Sequence, residues 1–157
     1  MANLLQFAKN LCSPLLANHH LPASDQYAPY ILVVDDDPTI RDLLKEALSL
    51  EGYLTRTVAS GNDALKILQQ FPSCNLLLLD LVMPGWNGEK TLEQLRHYSP
   101  QLPAVIMTGH DKEDCLPGLK QLGINGFIEK PFLISEIFQV TSQFLTSNPV
   151  MARQNSS

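Results

Sequence analysis

From Tyr30 onward, short apolar runs alternate with stretches of helical periodicity five times over. Tyr30–Val34 is continuously apolar, as expected of a strand covered on both faces. Ile40, Leu43, Leu44, Ala47 and Leu48 then follow the i, i+3, i+4, i+7, i+8 template of a helix. Asp37 suits its N-cap, Pro38 its first helical position and Gly52 its stop. Residues 54–58 alternate with Thr55 and Thr57 in the manner of an edge strand, and Ser60 with Asp63 resembles a capping box for the helix carrying Ala64, Leu65 and Leu68. Four leucines at 76–79 predict the third strand, and 89–98 the third helix with Leu92 and Leu95 inward. Residues 104–107 and Gly126–Glu129 predict the last two strands, and 132–145 the last helix. The fourth helix, over 112–122, contains Pro117 and Gly118 and is expected to be short, kinked or partly unwound. Repeated βα units require a parallel sheet with helices on both faces, joined by right-handed crossovers: an α/β doubly wound fold.

The last helix carries two apolar stripes. One runs through Leu133, Ile137, Val140 and Phe144, the other through Ile134, Phe138, Thr141 and Leu145. One must pack on the sheet, which leaves the other for a homodimer or partner face, or for the N-terminal extension. That extension, residues 1–29, has Leu4, Leu5, Phe7, Ala8 and Leu11 on one side of a short predicted helix and is then broken by Pro14, Pro22 and Pro29. His19-His20 within it reads as a solvated pair. Residues 147–157 are expected to be a disordered tail, leaving 30–146 as the domain.

Composition narrows the function. A net charge of -5 with no Lys/Arg run argues against a nucleic-acid surface, because phosphate binding wants a basic patch. Cys12, Cys74 and Cys115 have neither CxxC spacing nor an even count, so they read as free thiols in a reducing, cytoplasmic setting. No apolar run is long enough to span a bilayer.

The predicted strands end in polar residues: Asp35-Asp36-Asp37, Asp80, Thr108 and Lys130-Pro131. Parallel strands deliver all of these to one edge, where open α/β sheets place ligands. Two carboxylates about 4 Å apart repel by roughly 4 kcal/mol at an effective dielectric near 20, so such a cluster must hold protons, separate or bind a cation. Mg²⁺ (or Mn²⁺) takes oxygen ligands, Lys130 suits a phosphoryl oxygen, Thr108 can donate to another, and a carboxylate can itself be the nucleophile.

Four blocks, VVDDDPTIR (33–41), LLLLDLVMPGWNG (76–88), VIMTGH (105–110) and GFIEKPF (126–132), are similar to those of the receiver domain of two-component response regulators. The resemblance covers residues 30–145 and implies a flavodoxin-like (βα)5 sheet of order 2-1-3-4-5. It implies Asp80 as phosphoacceptor, and Mg²⁺ held by Asp35, Asp36, Asp80 and the Val82 backbone carbonyl. Thr108 and Lys130 would contact the phosphoryl group, Lys130-Pro131 would be cis, and Phe127 would be an aromatic switch with Thr108. Val82 and His110 would tune phosphoryl lifetime. An apolar Val82 cannot orient an attacking water by hydrogen bonding, so a long-lived aspartyl phosphate is expected.

The implied partners are a histidine kinase or histidine phosphotransfer protein and a downstream protein target, with neither nucleic acid nor membrane. The chain is expected to act as a signalling switch rather than an enzyme, and as a stand-alone receiver. Two alternatives stand beside this: a non-phosphorylated scaffold or dimerisation module, and an Mg-dependent phosphohydrolase. The latter lacks an acid two residues after Asp80, where Val82 stands. Asn87, Trp86 and Pro117-Gly118 depart from the family pattern.

Overall fold

The computed structural model describes residues 27–109 and 112–145, the side chains of 112–116 apart. The expected N-terminal helix, His19-His20, His110 and the tail lie outside the described residues. Strands β1 (Tyr30–Val34), β2 (Thr55–Val58), β3 (Cys74–Asp80), β4 (Ala104–Thr108) and β5 (Gly126–Glu129) alternate with five helices. These are α1 (Pro38–Leu50), α2 (Gly61–Gln70), α3 (Gly88–Tyr98), α4 (Lys112–Gln121) and α5 (Ile134–Phe144). The sheet is wholly parallel, in the order β2-β1-β3-β4-β5.

Alternation along the strands divides the core in two. Leu32, Val34, Leu77, Leu79, Ala104 and Ile106 face α2, α3 and α4 through Leu68, Leu92, Leu95 and Leu119. Ile31, Val33, Leu76, Leu78, Val105 and Met107 face α1 and α5 through Leu44, Leu48 and Ile137. Most of these side chains are fully buried, and each contributes about 1.5–3 kcal/mol relative to exposure. This burial, more than helix propensity, holds the strand ends in place.

Local chemistry sets the helix boundaries. Asp37 accepts the Thr39 N–H at 2.8 Å with Pro38 at the first turn, and Gly52 adopts φ 81° just beyond the end of α1. Asn87 caps α3 by accepting the Lys90 N–H at 2.8 Å. Ser60 accepts the Asp63 N–H at 3.2 Å, but the expected reciprocal box does not close. The Asp63 carboxylate instead takes the Ser60 hydroxyl at 2.8 Å, and Lys66 at 2.8 Å, because aspartate is one methylene shorter than the usual glutamate.

Two expectations change. Helix α4 runs through Pro117 without interruption, so the missing donor is absorbed within a ten-residue helix. Neither stripe of α5 is left over: Ile137, Thr141 and Leu145 are buried, and Phe138, Val140 and Phe144 pack against the same core. The buried face crosses both stripes, and only Leu133, just before the helix, stands clear at 68% exposure.

Candidate functional site

The carboxyl edge gathers most of the predicted residues. Strands β1, β3, β4 and β5 contribute from their last positions or just beyond, because the registers keep the strand ends level: Val34 pairs with Leu79, Asp80 with Met107 and Thr108 with Glu129. Asp35 is wholly buried, Asp80 is 5% exposed and Asp36 is open to solvent. One carboxylate oxygen from each of the three lies within 4.8 Å of the others, an arrangement suited to a hard cation.

Lys130 bridges two of the acids. Its Nζ lies 2.6 Å from Asp35 Oδ2 and 3.2 Å from Asp80 Oδ1. The lysine follows directly on β5; its N–H donates to the Thr108 carbonyl at 2.7 Å, and the Lys130-Pro131 peptide is cis. The other Asp35 oxygen accepts the Asp37 N–H at 2.9 Å, so this carboxylate is held on both sides. Asp80 Oδ1 also lies 3.5 Å from the Val82 N–H.

The electrostatics follow from this packing. Burial first, and then the Asp35 charge, raise the Asp80 carboxyl above the usual carboxylate value, with Lys130 opposing. Burial pulls the Lys130 ammonium down, but its hydrogen bond to Asp35 and the charges of Asp35 and Asp80 together lift it above the ordinary lysine value. Three carboxylates against one ammonium leave the cluster short of positive charge.

The remaining predicted residues are near but differently engaged. Thr108 is buried, and its hydroxyl donates to the Gly109 carbonyl at 3.2 Å rather than to an acid or the lysine. Phe127 pairs with Ile106 in register and is partly buried against the core on the α3–α4 side. The Val82 side chain is 73% exposed.

Two supports escaped the sequence reading. Arg41, one turn into α1, donates to the carbonyls of Asp35 and Asp36 at 2.7 and 2.9 Å and so pins the acidic loop. Its place within VVDDDPTIR was the available signal. Gly88 is the second. A β-carbon there would stand 2.6 Å from the Asp80 carbonyl oxygen and 2.7 Å from Leu81 Cα, while the Gly88 N–H donates to the Leu81 carbonyl at 2.9 Å. Only glycine lets α3 start that close behind Asp80.

Comparison with known proteins agrees with this geometry. The response regulator receiver domain family matches residues 31–142. Sporulation initiation phosphotransferase F of Bacillus subtilis (strain 168) is 36% identical over 115 residues, covering 73% of this chain and 92% of that protein. The DNA-binding transcriptional regulator NtrC of Salmonella typhimurium is 38% identical over 68% of this chain, yet the chain spans only 22% of its length. For the transcriptional regulatory protein CpxR of Klebsiella pneumoniae the values are 42%, 65% and 43%. Among solved structures, the receiver domain of NtrX from Brucella abortus superposes with TM-score 0.68 at 34% identity, covering 74% of this chain and 98% of that one. Chemotaxis protein CheY4 of Vibrio cholerae superposes with TM-score 0.70 at 26% identity, covering 76% and 99%. Fold, acid cluster and these likenesses agree: the chain belongs to the response regulator receiver domain family.

Proposed function

We propose that this protein accepts a phosphoryl group on Asp80 from a histidine kinase or histidine phosphotransfer protein and so changes its contacts with a downstream protein. The observation that carries the reading is Lys130 Nζ held between Asp35 and Asp80 at 2.6 and 3.2 Å, beside a third carboxylate. A relative that the match covers to 92% of its length is named a phosphotransferase, which supports the same chemistry. No acid stands two residues after Asp80, so a phosphohydrolase is not favoured.

The three carboxylates fit a divalent ion by charge and by mutual distance, and Asp35, Asp36 and Asp80 would hold it together with the Val82 carbonyl. Bound there, Mg²⁺ or Mn²⁺ supplies neutralisation of the phosphoryl oxygens. An Asp80 carboxylate oxygen attacks phosphorus in line. The new O–P bond forms as the N–P bond to the donor imidazole breaks, and the leaving nitrogen keeps the electron pair. Lys130 orients an equatorial oxygen and offsets its charge. Asp35, locked by the Asp37 N–H and Lys130, keeps the ammonium aimed. Thr108 exchanges the Gly109 carbonyl for a phosphoryl oxygen, and Phe127 moves into the space released. The exposed, apolar Val82 orients no water, and the aspartyl phosphate is long-lived; a half-life of seconds for the purified phosphoprotein would refute that.

Acetyl phosphate with Mg²⁺ tests the assignment by intact-mass measurement. One phosphoryl group per chain is expected, with none on Asp80→Asn and none in a chelator. Labelling of Asp80→Asn would place the acceptor elsewhere. Lys130→Ala should keep Mg²⁺ binding but uncouple phosphorylation from any partner response.

A further inference from the structure

A surface recess lies at the amino edge of the sheet, opposite the acids. It encloses about 260 Å³ and is bounded by Lys45, Ser49, Tyr53 and Leu54. A shallow apolar dimple shares Tyr53 and Leu54 with it and continues over Pro29, Ile31 and Leu145. Exposed large apolar residues gather along the same stretches of chain. Leu54 is 43% exposed, Leu50 at the end of α1 is 81% exposed, and Tyr27 on the approach to β1 is 66% exposed. Nothing in the phosphoacceptor chemistry calls for apolar surface at this end.

The geometry points to residues 4–11 of this same chain as the occupant. The chain enters the domain at Pro29, which itself lines the dimple, so whatever precedes it starts beside the groove. Leu4, Phe7, Ala8 and Leu11 repeat at the spacing of one helix face, the pattern that fills an apolar groove. Residues 12–28 link that face to Pro29. A random-coil chain of this many residues would have a root-mean-square span of roughly 20–25 Å, enough to reach back over the recess. Such a tether gives an effective concentration of the order of millimolar, so even a weak contact is populated. The segment after Leu145 also begins at the dimple, but its apolar residues, Val150, Met151 and Ala152, are consecutive and form no helical face. Docking here would cover the α1–β2 turn and leave the acid cluster open.

Amine-reactive crosslinking of the full-length protein tests this directly, because Lys9 lies in the segment and Lys45 borders the recess. An intramolecular Lys9–Lys45 crosslink on the monomer is expected. It should fall about tenfold in Phe7→Asp and again in Leu54→Asp, the effect of losing one large buried side chain. Lys9 linked evenly to Lys66, Lys90 and Lys130 would overturn the proposal. So would a Lys9–Lys45 link confined to a dimer, or one indifferent to both substitutions. No phosphodonor is used, so failure here leaves Asp80 untouched. Phe7→Asp should still be labelled by acetyl phosphate to the wild-type extent.

Discussion

At the amino end of the sheet Arg96 of α3 donates to the carbonyls of Leu122, Ser99, Leu102 and Gly123; at the carboxyl end Lys130 is shared between two buried acids. Both ends bury polar groups on the same scaffold, but they satisfy them differently. The Tyr30 hydroxyl donates to the Phe71 carbonyl at 2.7 Å, and Asn125 accepts the Ala104 N–H at 2.9 Å. The Arg56 guanidinium lies 3.5 Å from the Phe71 ring centre, though its buried Nε finds no acceptor. Burial pushes the Cys74 thiol up to about 12, so it carries no reactive thiolate. Apart from the Arg56 Nε, the amino end thus pairs these polar groups within the chain, which is what a structural end requires. The carboxyl end leaves negative charge over, which is what a ligand-binding end requires.

Substitutions at each end sharpen that contrast. The largest effect is expected from Gly88→Ala, whose methyl group would enter the Asp80 and Leu81 backbone; it should cost about 2–3 kcal/mol in denaturant unfolding and also depress labelling, by moving Asp80. Arg96→Ala should cost about 2 kcal/mol, since four carbonyls lose a charged donor, yet labelling should be unchanged. A labelling defect in Arg96→Ala would break the distinction between the two ends.

Asp80→Asn should go the other way. A carboxyl raised in the fold contributes its full stability below the ordinary value of 3.8 and loses that contribution as pH rises through its raised value. At neutral pH without metal the wild type therefore carries a penalty that asparagine removes. The expected gain is about 1 kcal/mol in thermal or denaturant melts, shrinking toward acid pH. Lys130, raised from 10.5, keeps its contribution throughout that window. Equal stability of the two proteins from acid to neutral pH would mean the cluster is already balanced. The smallest effect belongs to Asn87→Ala, which removes the α3 cap at a cost of about 1 kcal/mol or less and should leave Mg²⁺ binding intact.

The strand ends were legible in the sequence because buried parallel strands read as unbroken apolar runs, and the polar residue that stops each run marks the edge. Asp35, Asp80, Thr108 and Lys130 were found that way. Arg96 was not, because its carbonyl partners in Leu122 and Gly123 lie 26 and 27 residues on and nothing local announces them. The Arg56 stack on Tyr30 and Phe71 is equally non-local. Gly88 was hidden for a different reason: a glycine at a helix start looks ordinary until the neighbouring backbone is seen. Pro117 was over-read as an interruption, since a single lost donor does not unwind a helix whose Leu119 is fully buried. The α5 stripes misled because a broad apolar helix does not reveal which arc meets the sheet.

Calorimetric titration of the full-length protein with Mg²⁺ tests most directly whether the carboxyl edge is an unfinished charge cluster. One ion per chain is expected for the wild type, with binding lost in Asp35→Asn and retained in Arg96→Ala. Absence of binding, or binding that survives loss of the Asp35 carboxylate, would contradict it.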